Sequence, residues 1–155
     1  MKKKYLLLLL IIPVILLSGC DNKTVEKTTI CKKTLPYSDT QVDWKNEIEI
    51  KEVSGAIDDI TVREIITVDP SVNEDRIKSF RDKVQVECTG GIGEKFDSCK
   101  LEEKDRVFTL VLKTKKLDIL DSAVTSPNEQ ALNPAATGKE VIEYLQNMKY
   151  TCEEA

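Results

Sequence analysis

Histidine is absent from all 155 residues. Without an imidazole there is no Ser-His-Asp or Cys-His nucleophile pair, no histidine-ligated zinc and no usual proton shuttle near neutral pH. Aromatic residues are also scarce, at 5 % with a single tryptophan. The five cysteines never fall in a CxxC spacing, which removes the common thiol-redox motif and the paired zinc pattern. No apolar run is long enough to span a bilayer. The longest, Tyr5 to Leu17, is interrupted by Pro13 and as a helix reaches about 20 Å, against a hydrocarbon core of about 30 Å. The formal charge of −4 lacks the basic excess that nucleic acid requires.

The chain does carry an amino-terminal address. Lys2-Lys3-Lys4 precede the short apolar run, which ends in Leu17-Ser18-Gly19-Cys20. Basic start, short apolar core and small terminal residues fit a cleaved secretory signal. The final four residues resemble the lipobox of bacterial lipoproteins, in which the cysteine is acylated and becomes the first mature residue. The resemblance implies a signal peptide at 1–19 and lipidation at Cys20. It places the domain on the extracytoplasmic face of the cell membrane, held there by long acyl chains at about 0.8 kcal/mol per buried CH₂. Removing residues 1–19 takes away three lysines and no acidic residue, so the formal charge moves from −4 to −7. That charge argues against electrostatic docking on anionic lipid.

Four cysteines remain: Cys31, Cys88, Cys99 and Cys152. An even count in an oxidising exterior reads as two disulfides, with free thiols or a metal as alternatives. Four cysteines allow three pairings. Cys88 and Cys99 flank Thr89-Gly90-Gly91-Ile92-Gly93, a flexible reversal able to bring them together, which leaves Cys31 to pair with Cys152 and tie the ends of the domain.

Residues 20–29 are polar and aperiodic and read as a lipidated tether, followed by one domain over 30–155. Trp44, Ile48 and Ile50 alternate with charged residues, giving a half-buried strand. Ser54-Gly55 signals a reversal into a second strand, with Ile60, Val62, Ile66 and Val68 on one face. Ser71-x-x-Glu74 reads as a capping box opening a helix whose stripe is Ile77, Phe80, Val84 and Cys88, with Gly90 in a left-handed exit. Ser98–Glu103 is a weaker strand. Arg106–Lys113, apolar on both faces, belongs inside the sheet. Ser122–Ala136 is a loop suited to recognition. Thr137-x-x-Glu140 caps a last helix with Val141, Ile142, Leu145 and Met148 inward, and Tyr150–Cys152 closes the domain. The expected fold is α+β: about four antiparallel strands in one sheet, two helices packed on one face in the order β-β-α-β-β-α, and two disulfides.

This order of lipobox, short tether, hairpin ending near ITVDPSVNEDRIKSF, second strand pair and terminal TGKEVIEYLQNMKYTC resembles the YehR-like bacterial lipoproteins. The resemblance implies a two-layer α+β fold and a surface location, and it lends no catalytic residue.

Candidate chemistry is thin. Gly90-Gly91-Ile92-Gly93-Glu94-Lys95 lacks the order and the hydroxyl residue of a phosphate-binding P-loop. Asp58-Asp59, and Asp118 with Asp121, lack the flanking pattern of a calcium loop. Trp44 and Tyr37 are the candidate binding residues, since exposed aromatics anchor sugars and interfaces, although a place in the core or at its rim is the preferred role for Trp44. The expectation is a monomeric, non-enzymatic domain with no catalytic residue, metal or cofactor. It meets the membrane through its lipid and an envelope protein or component through its surface. A small carboxylate-dependent enzyme and a small solute-capturing protein are the alternatives.

Overall fold

A computed structural model describes residues 24–36, 41–124 and 132–155. Six strands form one antiparallel sheet: β1 (Glu26–Leu35), β2 (Val42–Val53), β3 (Ala56–Val68), β4 (Ser98–Lys104), β5 (Val107–Thr114) and β6 (Thr151–Glu154). Their spatial order is β4-β5-β3-β2-β1-β6. Three α-helices accompany them: α1 (Glu74–Gly90), α2 (Leu117–Val124) and α3 (Gly138–Asn147). The α+β expectation therefore holds in general form, but the sheet has six strands rather than about four, and a third helix is present. β1 begins at Glu26, so residues 26–29 of the expected tether are sheet.

The strands form where β-branched and apolar residues alternate with charged ones. Cys31, Ile48, Val62 and Leu112 lie in register across four strands, and each is fully buried. Glu47, Glu49, Arg63 and Lys100 occupy the opposite face. There Arg63 donates to the Glu47 carboxylate at 3.0 Å and to the Glu49 carboxylate at 2.8 Å. Burial would raise the Glu49 carboxyl, but the hydrogen bonds and positive charges of Arg63 and Lys51 outweigh it and hold the group below its ordinary value.

Two hairpins close through tight two-residue turns. Ser54 and Gly55 both adopt positive φ, the geometry that matches strand twist and favours glycine. At the β4–β5 turn the same left-handed conformation falls on Asp105 and Arg106. Arg106 is thus a turn residue, not the first residue of a strand. Its guanidinium donates to the Val72 carbonyl at 2.7 Å and to the Glu74 carboxylate at 2.8 Å, tying this turn to the start of α1.

The core lies on one face of the sheet, and helix contacts fall there. Ile77 and Val84 of α1 are buried, with Phe80 and Cys88 packed against the core. Arg81 of α1 meets Glu103 of β4 through two 2.6 Å hydrogen bonds. The cap of α1 is Asn73, whose side chain accepts from the Arg76 N–H at 2.9 Å. Ser71 does not cap it. Ser71 is committed to an Asp69 turn, donating both its N–H (2.8 Å) and its hydroxyl (2.6 Å) to the Asp69 carboxylate. α3 does carry the expected capping box between Thr137 and Glu140. It ends in a Schellman arrangement, with the Tyr150 N–H donating to the Leu145 carbonyl at 3.0 Å and Lys149 in the left-handed region.

Both expected disulfides form, Cys31–Cys152 and Cys88–Cys99. The first fastens β6 to β1, and the second fastens the end of α1 to β4. The segment between Cys88 and Cys99 runs from the end of α1 into one further turn. It holds a 3-10 turn at Ile92–Lys95, and none of Gly90, Gly91 and Gly93 is left-handed. Gly93 is required for close approach: a Cβ there would stand 2.8 Å from Cys88 Cα.

Candidate functional site

Strand alternation places one polar pair inside the apolar face. Asn46 sits between Trp44 and Ile48 on β2, and Glu64 sits between Val62 and Ile66 on β3. The two are direct partners in register, and the row continues to Lys33 on β1 and to Leu110 on β5. Asn46 is 2 % exposed. It is satisfied by Tyr150, whose hydroxyl donates to Asn46 Oδ1 at 3.2 Å. Lys33 Nζ lies over the Tyr150 ring, 5.3 Å from its centroid.

Beside this row a cleft of about 180 Å³ opens between α1 and the sheet. Trp44, Ile66 and Leu110 line its sheet side and Phe80 and Val84 its helix side, with Glu64 projecting among them. Lys83 and Glu87 enter from α1, one helical turn apart. Burial pushes the Glu64 carboxyl above its ordinary value, and the nearby Glu87 carboxylate adds to the effect. Burial, followed by the negative charge of Glu64, likewise pushes the Tyr150 hydroxyl up to about 12. Glu64 makes no hydrogen bond or ion pair to any other described residue.

An apolar concavity with a few polar groups and a displaced titration is the usual form of a small-ligand site. The arrangement can enclose an apolar group and present it with a carboxyl.

Of the residues singled out in the sequence, Trp44 is partly buried, packs against the core and lines the cleft. Tyr37 and Cys20 lie outside the described residues, as do residues 125–131 of the expected recognition loop. Asp58 pairs with Lys115 at 3.2 Å, and Asp59 accepts a hydrogen bond from the Thr61 hydroxyl at 3.4 Å. Asp118 sits in the first turn of α2, and the Asp121 side chain is outside the described set. Among the described residues no three metal-ligating side chains converge, and no helix is long and apolar enough to cross a membrane. The Gly90–Lys95 segment is the end of α1 followed by a 3-10 turn at Ile92–Lys95, without the strand-to-helix context of a phosphate loop.

Glu64, Asn46 and Tyr150 were not singled out from sequence. The signal was present as two gaps in the inward rows, at position 46 between Trp44 and Ile48 and at position 64 between Val62 and Ile66. A hairpin register places these gaps opposite one another. Comparison with known protein families, curated proteins and solved structures finds no match to this chain.

Proposed function

We propose that the chain is a lipid-anchored extracytoplasmic domain that binds an envelope component through the cleft between α1 and the sheet, without catalysing a reaction. The observation that carries the binding role is the cleft itself. It is an apolar recess that keeps Trp44 and Phe80 at its walls and, inside, the Glu64 carboxyl, which has no hydrogen-bond or ion-pair partner among the described residues. Binding sites are built from such recesses, with polar groups fixing orientation. The lipid anchor rests on the sequence: a basic start, a short apolar run and Cys20 in a lipobox. Two disulfides suit the oxidising exterior where that signal would deliver the chain. The likeness to YehR-like lipoproteins belongs to the same proposal.

Two measurements test it. Cys20→Ala in the full chain should leave it unprocessed or release it from the membrane fraction; a cleaved product still held in the membrane would overturn the anchor. For binding, the full chain should retain an envelope component that Lys83→Trp does not, because the new indole plugs the cleft from its exposed helix rim. Equal retention by both chains, or by neither, would overturn the role of the cleft.

A further inference from the structure

Resting on the binding role proposed above, we infer that the cleft takes a small organic cation, an ammonium group carried on an apolar arm about the bulk of a phenyl ring. Charge and hydrogen-bonding capacity both favour a cation. Two carboxyl groups, Glu64 and Glu87, face the recess against one ammonium, Lys83. Glu64 has no hydrogen-bond or ion-pair partner among the described residues, and the Tyr150 hydroxyl, which feels its charge, donates to Asn46 instead. An anionic ligand would meet both carboxylates, and a neutral one would leave Glu64 without its strongest available partner. Charge-assisted hydrogen bonds are about twice as strong as neutral ones.

The walls fit the remainder of such a ligand. Trp44 supplies aromatic surface that attracts cations and packs against rings, while Phe80, whose ring lies under the Arg76 guanidinium at 5.9 Å, adds apolar wall. Ile66, Val84 and Leu110 add aliphatic surface. An enclosed apolar cavity of about 150 Å³ accommodates benzene. The volume of about 180 Å³ therefore suits a phenyl group with a short aminoalkyl arm. Burial leaves the Glu64 carboxyl raised in the empty cleft. An ammonium beside it would offset the burial and return it to the ionised form.

The chain carries its own reporter, since Trp44 is its single tryptophan and lines the cleft. The full chain, reconstituted in phosphatidylcholine vesicles, is titrated at neutral pH with phenethylamine, 2-phenylethanol and 3-phenylpropanoate while Trp44 emission is followed. Phenethylamine should give a saturable change at about tenfold or more lower concentration than the alcohol, with the propanoate weakest. Glu64→Gln should remove about tenfold of the amine affinity and leave the alcohol unchanged, whereas Glu64→Asp should keep the preference for the amine. Circular dichroism of each variant establishes that it is folded. Should Glu64→Gln fail to fold, Glu87→Gln on the exposed helix rim should lower amine affinity about two- to threefold and leave the alcohol unchanged. Equal binding of amine and alcohol, preference for the propanoate, or no response to any probe overturns the inference. Indifference of the amine to Glu64→Gln, or to Glu87→Gln where that variant is used, does so too. Retention of an envelope component through the cleft, without binding of these probes, would overturn this inference and leave the binding role standing.

Discussion

The Tyr150 hydroxyl reaches Asn46 Oδ1 at 3.2 Å, joining residues 104 positions apart inside the core. Both side chains are buried, at 6 % and 2 % exposure, so neither has water as a ready substitute. Tyr150→Phe leaves an amide oxygen without its donor and should cost about 1–2 kcal/mol of unfolding free energy. Urea denaturation of both chains measures it. Alkaline absorbance titration should show one tyrosine ionising near 12, and that component should vanish in the variant.

The stability contributed by Tyr150 follows from the same displacement. Its folded value is raised above the ordinary one of 10.0. The folded state holds the proton more tightly, so this contribution is complete below pH 10 and is lost as pH rises toward 12. Wild type should therefore lose its advantage over Tyr150→Phe across that interval, beyond the loss of the hydrogen bond alone.

Glu64 obeys the same sign at a lower pH. Its folded value is raised by burial and by Glu87, so ionising it opposes folding. The groups facing it are Glu87 and Lys83 from α1, Tyr150 before β6 and, beyond Asn46, Lys33. Stability linked to the Glu64 proton is present below its ordinary value and is lost as pH rises through the raised one. Glu64→Gln cannot ionise. Relative to wild type, its thermal midpoint should therefore improve as pH rises from the ordinary value of 4.5 through the raised one. A constant difference across that range would contradict the buried ionisable carboxyl.

Two glycines three residues apart should respond in opposite directions to alanine. At Gly93 the new Cβ would lie 2.8 Å from Cys88 Cα, against backbone that cannot swing aside. Gly93→Ala should cost about 1–3 kcal/mol. At Gly90, the last residue of α1, the nearest group is the Glu94 carboxylate at 4.0 Å. Gly90→Ala should be neutral or add up to about 1 kcal/mol by reducing the freedom of the unfolded chain. Denaturant midpoints of the two variants on either side of wild type are the expected result.

The two disulfides should differ with the logarithm of the loops they close, 121 and 11 residues apart in sequence. Loop-closure entropy gives about 5 kcal/mol for Cys31–Cys152 and about 3 kcal/mol for Cys88–Cys99. Replacing each pair by alanines and comparing unfolding in urea measures both. A larger loss from the short loop would contradict the entropic account.

Legibility in the sequence followed burial. β2 and β3 were readable because Trp44, Ile48 and Ile50, then Ile60, Val62, Ile66 and Val68, alternate on either side of a recognisable turn, broken only by the gaps at 46 and 64. The α1 stripe was readable for the same reason, as was the local disulfide it carries. β1 was hidden because its inward row is Thr29, Cys31, Lys33 and Leu35, in which only Leu35 is a large apolar residue, so no apolar rhythm appears. β6 was hidden because Thr151–Glu154 has one partly buried side chain, Cys152, and is held by covalent and edge pairing instead. At the β4–β5 turn, Asp105-Arg106 adopts a geometry usually marked by Asn-Gly, and distant hydrogen bonds of Arg106 hold it there. The cleft was half legible. Trp44 stood out by type, whereas Glu64 resembled any polar strand residue until its register with Asn46 placed it on the inward face.

The bridge between β1 and β6 also decides how the domain responds to tension. A pull entering through the residues before Cys31 and leaving through those after Cys152 can unzip only Glu26–Ile30 of β1 and Glu153–Glu154 of β6 before it meets a covalent bond. The intervening chain, with its helices and the cleft, lies in a closed loop off the line of force. Stretching from these two ends can peel back only the few residues outside the bridge. The fold behind it stays slack, and the cleft keeps its shape under a load that would open an unbridged sheet.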